Sequence, residues 1–465
     1  MEYFAILGVS TAIIAALTAA IYRIRKDAGV IVGVLALYYW SLLGAWSIVI
    51  DKTGGFSGKH YYYLETKLFP IALDRDYMIA MALYAGFIVV ALLTLLACLS
   101  RPYAKPVPKL ILRHEPILTL AFLAGLASYL LIRDKINAAW ALNTSAYWYT
   151  RSQTDQWFTL HQVLNRVALL PSAIGFGVLA AGRNSRYFLS AHSRYTPFAY
   201  GLLFSGMGAF TFVLGNKNEV LEALLAGTLA YLGSARRARL LKTALTVVAG
   251  LWFLYAIDFF RAVPLTDLRA AVTERLNQAT GVSGFIASSN ESFAAHFSMY
   301  GVLHNDVAPK FGYSLYALAC SVIPRIFWPD RPLDIYFYYS DRVGAIQNQG
   351  YSLHHATGWY LNFGVAGVAI GAVVLGLIWA YCLNAHRRIR RRSGLCFRLF
   401  AATAPWLFAA YLPSLLRAGP EGYKGFVIEA LLIPIGTLAL ACRRGKVRWR
   451  ASQPMPVRWA VPEAR

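Results

Sequence analysis

Cationic side chains and a histidine pair gather around one polar stretch of this chain. Arg325 and Arg331 flank Trp328-Pro329 within Val322-Ile-Pro-Arg-Ile-Phe-Trp-Pro-Asp-Arg-Pro332, and His354-His355 end the run Gly350-Tyr-Ser-Leu-His-His355. Lys217 lies in Leu214-Gly-Asn-Lys-Asn-Glu219, and Arg417 in Leu416-Arg-Ala-Gly-Pro-Glu-Gly-Tyr-Lys424. Guanidinium forks match phosphate oxygens, and a setting poor in water strengthens the grip, so these cations suit a lipid-linked phosphate or diphosphate. His354 or His355 can act as a general base near neutral pH. Glu291, in Ser288-Ser-Asn-Glu-Ser-Phe293, is the carboxylate alternative. It reads equally as a first-turn residue of a helix capped by Ser289 or Asn290. Lys217 and Glu219 read equally as a solvated turn holding a local ion pair.

The elements that carry these residues are membrane helices. The 465 residues are 58% hydrophobic and only 14% charged, with a mean hydropathy of +0.47, whereas soluble domains carry roughly 25% charge. Repeated apolar windows of about 20 residues are long enough to cross hydrocarbon. They are continuously apolar, not alternating, which favours helices over a barrel. The expected spans are Tyr3–Tyr22, Gly29–Ile50, Tyr77–Ser100, Pro116–Ile132, Gln162–Gly182, Pro197–Leu214, Val220–Leu232, Thr243–Phe260, Trp359–Leu383, Phe397–Leu416 and Phe426–Ala441. The fold class is therefore an all-α polytopic membrane protein of about eleven transmembrane helices.

Charge sets the expected orientation. The formal net charge is +23, which alone would suit nucleic acid. Its location argues otherwise: the basic clusters at Arg23 to Lys26, Arg101 to Arg113, Arg236 to Lys242, Arg387 to Arg392 and Arg443 to Arg450 each follow an apolar run. That is the positive-inside pattern, with attraction to anionic lipid. It places the N-terminus outside, the C-terminus in the cytoplasm and Lys217, Arg325, His354 and Arg417 together on the external face. The first span has its basic cluster after it and so does not read as a cleaved signal.

The chain divides into residues 1–262 with eight spans, a long external loop over 263–356, three spans over 357–442, and a basic cytoplasmic tail, 443–465. Within the loop, Asp267–Gln278 has amphipathic helical spacing, and Ser314–Ile326 is apolar but short, an interfacial or re-entrant piece. Aromatic residues crowd the external segments Asp51–Asp76 and Arg133–His161. They suit an interfacial belt or a surface that packs against pyranose rings, and both can hold at once. Four of the five cysteines fall at basic ends and only Cys320 is external, so no disulfide framework or zinc site is implied. No metal-binding or nucleotide-binding run is read, so neither a metal nor a cofactor is expected.

Asn290-Glu-Ser-Phe293, Phe311-Gly-Tyr-Ser-Leu315, Ile323-Pro-Arg325, Trp328-Pro-Asp-Arg-Pro332 and Tyr360-Leu-Asn-Phe-Gly364 together resemble the Wzy-type oligosaccharide repeat-unit polymerases that make bacterial O-antigen and exopolysaccharide. The resemblance covers roughly Asn290 to Gly376, with the polytopic layout around it. It implies a metal-independent membrane glycosyltransferase of the C type at the periplasmic face of the inner membrane. The donor would be a glycan on undecaprenyl diphosphate, the acceptor a lipid-linked repeat unit, and a chain-length regulator a possible partner. Arg325 matches the basic residue after proline, Lys217 stands where relatives carry arginine, and Arg417 resembles the basic residue before the last span. One departure matters. Relatives often have an acid shortly before the Asn-Phe-Gly motif, where this chain has Thr357-Gly358. Two rival readings are a ligase that passes finished glycan to lipid A core or protein, and a transporter or flippase of lipid-linked sugars. The transporter predicts charges within span centres and interrupted helices.

Overall fold

Apolar runs become helices in this chain because a helix satisfies every backbone donor and acceptor within itself, the condition for lying in hydrocarbon. The computed structural model describes residues 2–53, 70–100, 109–152, 156–182, 185, 187–235, 245, 248–250, 252–254, 256–257, 263–264, 267, 290–323, 327–345, 352–389 and 393–444. In chain order the main helices are α1 (Glu2–Arg25), α2 (Ala28–Ile50), α3 (Arg75–Cys98), α4 (His114–Ala141), α5 (Ala146–Ser152), α6 (Gln156–Ala180), α7 (Thr196–Leu214) and α8 (Lys217–Ser234). They continue as α9 (Asn290–His304), α10 (Tyr313–Cys320), α11 (Ile335–Arg342), α12 (His355–Asn384), α13 (Leu395–Leu416) and α14 (Gly422–Ala441).

Among the described residues nine helices are long and apolar enough to cross a membrane: α1, α2, α3, α4, α6, α7, α12, α13 and α14. The protein is thus an all-α, multi-pass membrane protein. The expected count of eleven differs at two places. Val220–Leu232 forms within α8, but Lys217, Glu219 and Glu222 make that helix too charged to rank with the nine. Half of the expected span Thr243–Phe260 lies outside the described residues, as do the amphipathic segment after Asp267 and the tail beyond Arg444.

Side chains close the helix ends. Asp27 Oδ1 accepts from Gly29 N at 2.8 Å, Asp74 Oδ1 from Tyr77 N at 2.8 Å, and Gly215 ends α7 in the left-handed region at φ 63°. Helix α13 is the axis of the bundle, with 89% of its apolar window buried. Helix α8 packs on α6 and α13. Small residues permit the α6–α8 approach: a Cβ on Gly177 would stand 3.0 Å from Tyr231 N, and one on Gly227 3.0 Å from Ala173 O.

The two ends of the bundle differ. At the basic end the Arg25 guanidinium reaches the Leu383 carbonyl and His386, and Asn384 Nδ2 donates to Cys98 O at 2.9 Å. A small sheet is built from the segments that adjoin helices there, β1 (Leu110–Arg113), β2 (Phe188–Ala191) and β3 (Cys442–Arg444). β1 lies in the middle, parallel to β2 and antiparallel to β3, with Leu110 opposite Phe188 and Leu112 opposite Cys442.

Three helices are interrupted. α2 has a π turn at Tyr39–Leu43, α14 has one at Phe426–Leu432, and α12 breaks at Phe363 and Gly364, where Gly364 takes φ 61°. The expected external loop is not all surface. From Ala295 to Tyr300, α9 is buried against the π turn of α2 and against α3. Of the expected piece Ser314–Ile326, the described residues, to Ile323, hold only the eight-residue α10 (Tyr313–Cys320), far too short to span.

Candidate functional site at the Arg417 end of the bundle

Arg417 ties together three parts of the chain at the end opposite the basic one. It follows the last turn of α13, where its backbone N donates to Ser414 O at 3.3 Å. Its Nη1 donates to Asn218 Oδ1 at 2.9 Å and its Nε to Ser352 Oγ at 3.0 Å. The guanidinium also lies over the Trp40 ring, 5.4 Å from the centroid. Asn218 is next to Lys217 in the first turn of α8, and Ser352 leads into His354-His355. Lys217 and Arg417, 200 positions apart in sequence, therefore share one corner. Arg325 lies outside the described residues, and of Glu291 only its place in the first turn of α9 is described.

His354 and His355 are sealed by protein. Ala356 N donates to His354 Nδ1 at 3.1 Å, so the proton of the neutral ring sits on Nε2, 3.0 Å from Ser41 Oγ. Burial, then neighbouring His355 and His296, push His354 well below the usual histidine range. His355 Nδ1–H donates to Ala418 O at 2.9 Å, and its Nε2 accepts from Trp359 Nε1 at 3.1 Å, with Tyr423 Oη at 3.2 Å. Neither ring is solvent-exposed. The expectation of a histidine base therefore meets a geometric obstacle: the nitrogen that would take a proton is already occupied by a donor within the protein. Both rings hold the start of α12 against α2, α3 and the Ala418 turn. His296, on α9, completes the group by donating from Nδ1 to Ser41 O at 2.9 Å, and burial lowers it to about 4.

The motif fragments meet in space. Asn362 Oδ1 accepts from Ser314 N and its Nδ2 donates to Ser314 Oγ, both at 2.8 Å. Asn362 thus secures an orphan donor at the start of α10. The break at Phe363-Gly364 leaves the Leu361 carbonyl to accept from Lys310 N at 2.6 Å. Arg331 departs from expectation: its Nη1 donates to Ser321 O at 2.8 Å and Ile323 O at 2.9 Å. It closes the C-terminal turn of α10, so that part of its fork is committed to backbone.

Glu421 is a residue that sequence reasoning passed over. Its Oε1 accepts from Ile335 N at 3.0 Å, its Oε2 is buried with no hydrogen-bond partner, and Ser314 is nearby. Burial raises its carboxyl to about 7, with Asp334 adding to the shift and the Ile335 amide opposing it. The Gly419-Pro420 turn that delivers Glu421 packs on Gly358, where a Cβ would stand 2.6 Å from Gly419 Cα. The signal available in sequence was the Gly-Pro-Glu run itself, beside Arg417.

A second set of charges lies deeper. Arg166 Nη1 pairs with Glu429 Oε2 at 2.7 Å and Arg166 Nε with Glu222 Oε2 at 3.5 Å, while Ser414 donates to Glu222 Oε1. Sequence reasoning read the polar residues as crowding the external face, with no charges at span centres. Arg166, Glu222 and Glu429 sit about 15, 8 and 10 Å in from the starts of their helices, at roughly 1.5 Å per residue. Each was hidden as a single charge in an apolar run.

Sequence reasoning also missed Asp74-Arg75-Asp76, whose carboxylates lie with His304 within 4.8 Å of one another, near enough to share an ion. Asp74 has structural partners, since Oδ1 caps α3 and Oδ2 accepts from Tyr300 Oη at 3.1 Å. Comparisons with protein-family models, with curated proteins and with solved structures find no match for this chain.

Proposed function

We propose that this protein is a repeat-unit polysaccharide polymerase, a glycosyltransferase that moves a glycan from undecaprenyl diphosphate onto a lipid-linked oligosaccharide. The observation that carries this reading is the meeting of Arg417 with Asn218, next to Lys217, and with Ser352 of the polar loop. An apolar cleft of about 400 Å³ lies between α6, α7 and α8, lined by Leu169, Phe204, Val220 and Leu224 among others. It suits the hydrocarbon of a lipid-linked substrate. In this reading the Arg417 end faces the periplasm, the basic end faces the cytoplasm, and eleven spans cross the inner membrane.

The acceptor hydroxyl attacks the anomeric carbon of the donor sugar, the bond from that carbon to the diphosphate oxygen breaks, and undecaprenyl diphosphate leaves. Arg417, Lys217 and Arg325 stabilise the charge gathering on the leaving diphosphate. Glu421 takes the acceptor proton, since its carboxyl titrates near neutral pH and one oxygen is without a partner. It stands in for the acid that relatives carry before the Asn-Phe-Gly motif, because the Gly419-Pro420 turn occupies the space a side chain at position 358 would need. His354 and His355 position the loop return.

The test is a product ladder made by the purified protein from defined undecaprenyl-diphosphate repeat units. Unextended substrate, under conditions where the protein is folded, removes the polymerase reading. The ligase alternative differs in cells: loss of a ligase leaves long lipid-diphosphate-linked chains, and loss of a polymerase leaves single repeats. A transporter of lipid-linked oligosaccharide draws on a specific observation, the Arg166–Glu222–Glu429 charges within apolar helices together with the interrupted α2, α12 and α14. Movement of intact repeat units across a liposome bilayer with no polymer formed would favour it.

A further inference from the structure

The carboxylates on either side of Arg166 outnumber the cation between them. Arg166 comes from α6, Glu222 from α8 and Glu429 from the π turn of α14. Among the described residues, the other ionisable groups facing this cluster are Glu219 of α8, an acid again, and Tyr411 of α13. Fully ionised, the cluster holds net negative charge inside a helix bundle. Hydrocarbon makes such a charge costly, and carboxylates held close by one guanidinium repel each other. Glu222 is 1% exposed, and its Oε2 has no hydrogen-bond partner beyond the 3.5 Å approach of Arg166 Nε. An uncharged carboxyl removes the excess charge, and a neutral oxygen costs less to leave unpaired than a carboxylate oxygen.

The geometry assigns to Arg166, Glu222 and Glu429 a binding site for one exchangeable proton, shared between the two carboxyls. Glu429 retains 24% side-chain exposure against 2% for Glu222, so it is the more open of the two carboxyls. Occupancy reaches the Arg417 corner through a short path. Ser414 donates to Glu222 Oε1, and the Ser414 carbonyl accepts from Arg417 N. A proton moving between Glu222 and Glu429 changes what Ser414 bonds, and with it the last turn of α13. π turns carrying a functional side chain are a recurring arrangement. This site stands whether the chain polymerises or transports, since it rests on charges away from the diphosphate corner.

The test is infrared difference spectroscopy on the full-length protein in lipid nanodiscs at neutral pH, in water and in deuterium oxide. The wild type should show a protonated-carboxyl stretch that shifts on deuteration. That band should be lost in Glu222→Gln or in Glu429→Gln, and persist in Glu421→Gln. Glutamine keeps shape, and the wild-type spectrum is itself a readout should either variant fold poorly. A wild-type spectrum without such a band at neutral pH, or one that both glutamine variants leave unchanged, overturns the assignment. Sodium titration at fixed pH is the second arm. Loss of the band as sodium rises would assign the site to a monovalent metal cation and overturn the proton, and indifference to sodium supports the proton.

Discussion

Arg417 and Asn218 are joined at 2.9 Å across 199 positions of sequence, and this bond is what brings α13, α8 and the return of the polar loop to one corner. A planar fork with donors to Asn218 and Ser352 and a face on Trp40 is held in one orientation before any substrate arrives. A lysine could supply the charge there but not the fork.

Arg417→Ala should lower the rate of chain extension about 10²–10³-fold, the usual cost of one lost donor at a developing oxyanion. Arg417→Lys should recover little of it. Rates from purified protein on defined lipid-linked repeat units check this, with protein yield measured alongside. Near-normal extension by Arg417→Lys would reduce the residue to a point charge.

Arg325→Ala should abolish long glycans in cells while protein levels stay intact. Normal chain lengths on a glycan ladder would remove Arg325 from the diphosphate grip.

Glu421→Gln should slow extension by about 10²–10⁴-fold, the range for loss of a general base. A base works ionised, so wild-type activity should rise with pH through about 7, the value burial gives this carboxyl. The residual activity of the variant should lose that rise. The stability sign is opposite. The folded carboxyl titrates above its ordinary 4.5, so its protonated form favours the native state, and that contribution fades as pH climbs from about 4.5 through 7. Thermal midpoints of wild type minus Glu421→Gln over that range should fall accordingly. An unchanged pH–rate profile in the variant would return the base to another residue.

His296 and His354 should matter for stability more than for the pH dependence of the rate. Burial lowers both, His296 to about 4, so the native state binds fewer protons than the unfolded chain below about 6.5. Stability from these rings is present above that pH and drains away as it falls toward 4. His354→Ala should cost about 1–3 kcal/mol by removing the ring that bonds Ser41 Oγ and Ala356 N. Thermal unfolding of the variant in lipid nanodiscs checks the loss; a variant as stable as wild type but dead in catalysis would reinstate His354 as a chemical group.

Asp74, Asp76 and His304 put the expectation of metal independence at risk. Asp74 already serves the α3 amide and Tyr300, so the product ladder should be the same with and without chelator, and Asp76→Asn should extend normally. A ladder lost on chelation and restored by a divalent cation would make this cluster functional.

Membrane residence and the bounds of most helices follow from one-dimensional quantities, because hydrocarbon imposes its demand segment by segment: a run is apolar enough or it is not. Tyr3–Tyr22 and Phe397–Leu416 are legible for that reason. What single residues do in pairs was decided by packing. Ser314 and Asn362, or Arg166, Glu222 and Glu429, are unremarkable letters apart, and only the packing of their helices makes them a helix cap and a charge cluster; the α6–α8 approach that brings Glu222 to Arg166 is permitted at Gly177 and Gly227. The histidines show the same division. Their types suggested proton chemistry, but tertiary contacts filled their ring nitrogens, and a nitrogen already bonded inside a dry core is no longer available to a substrate.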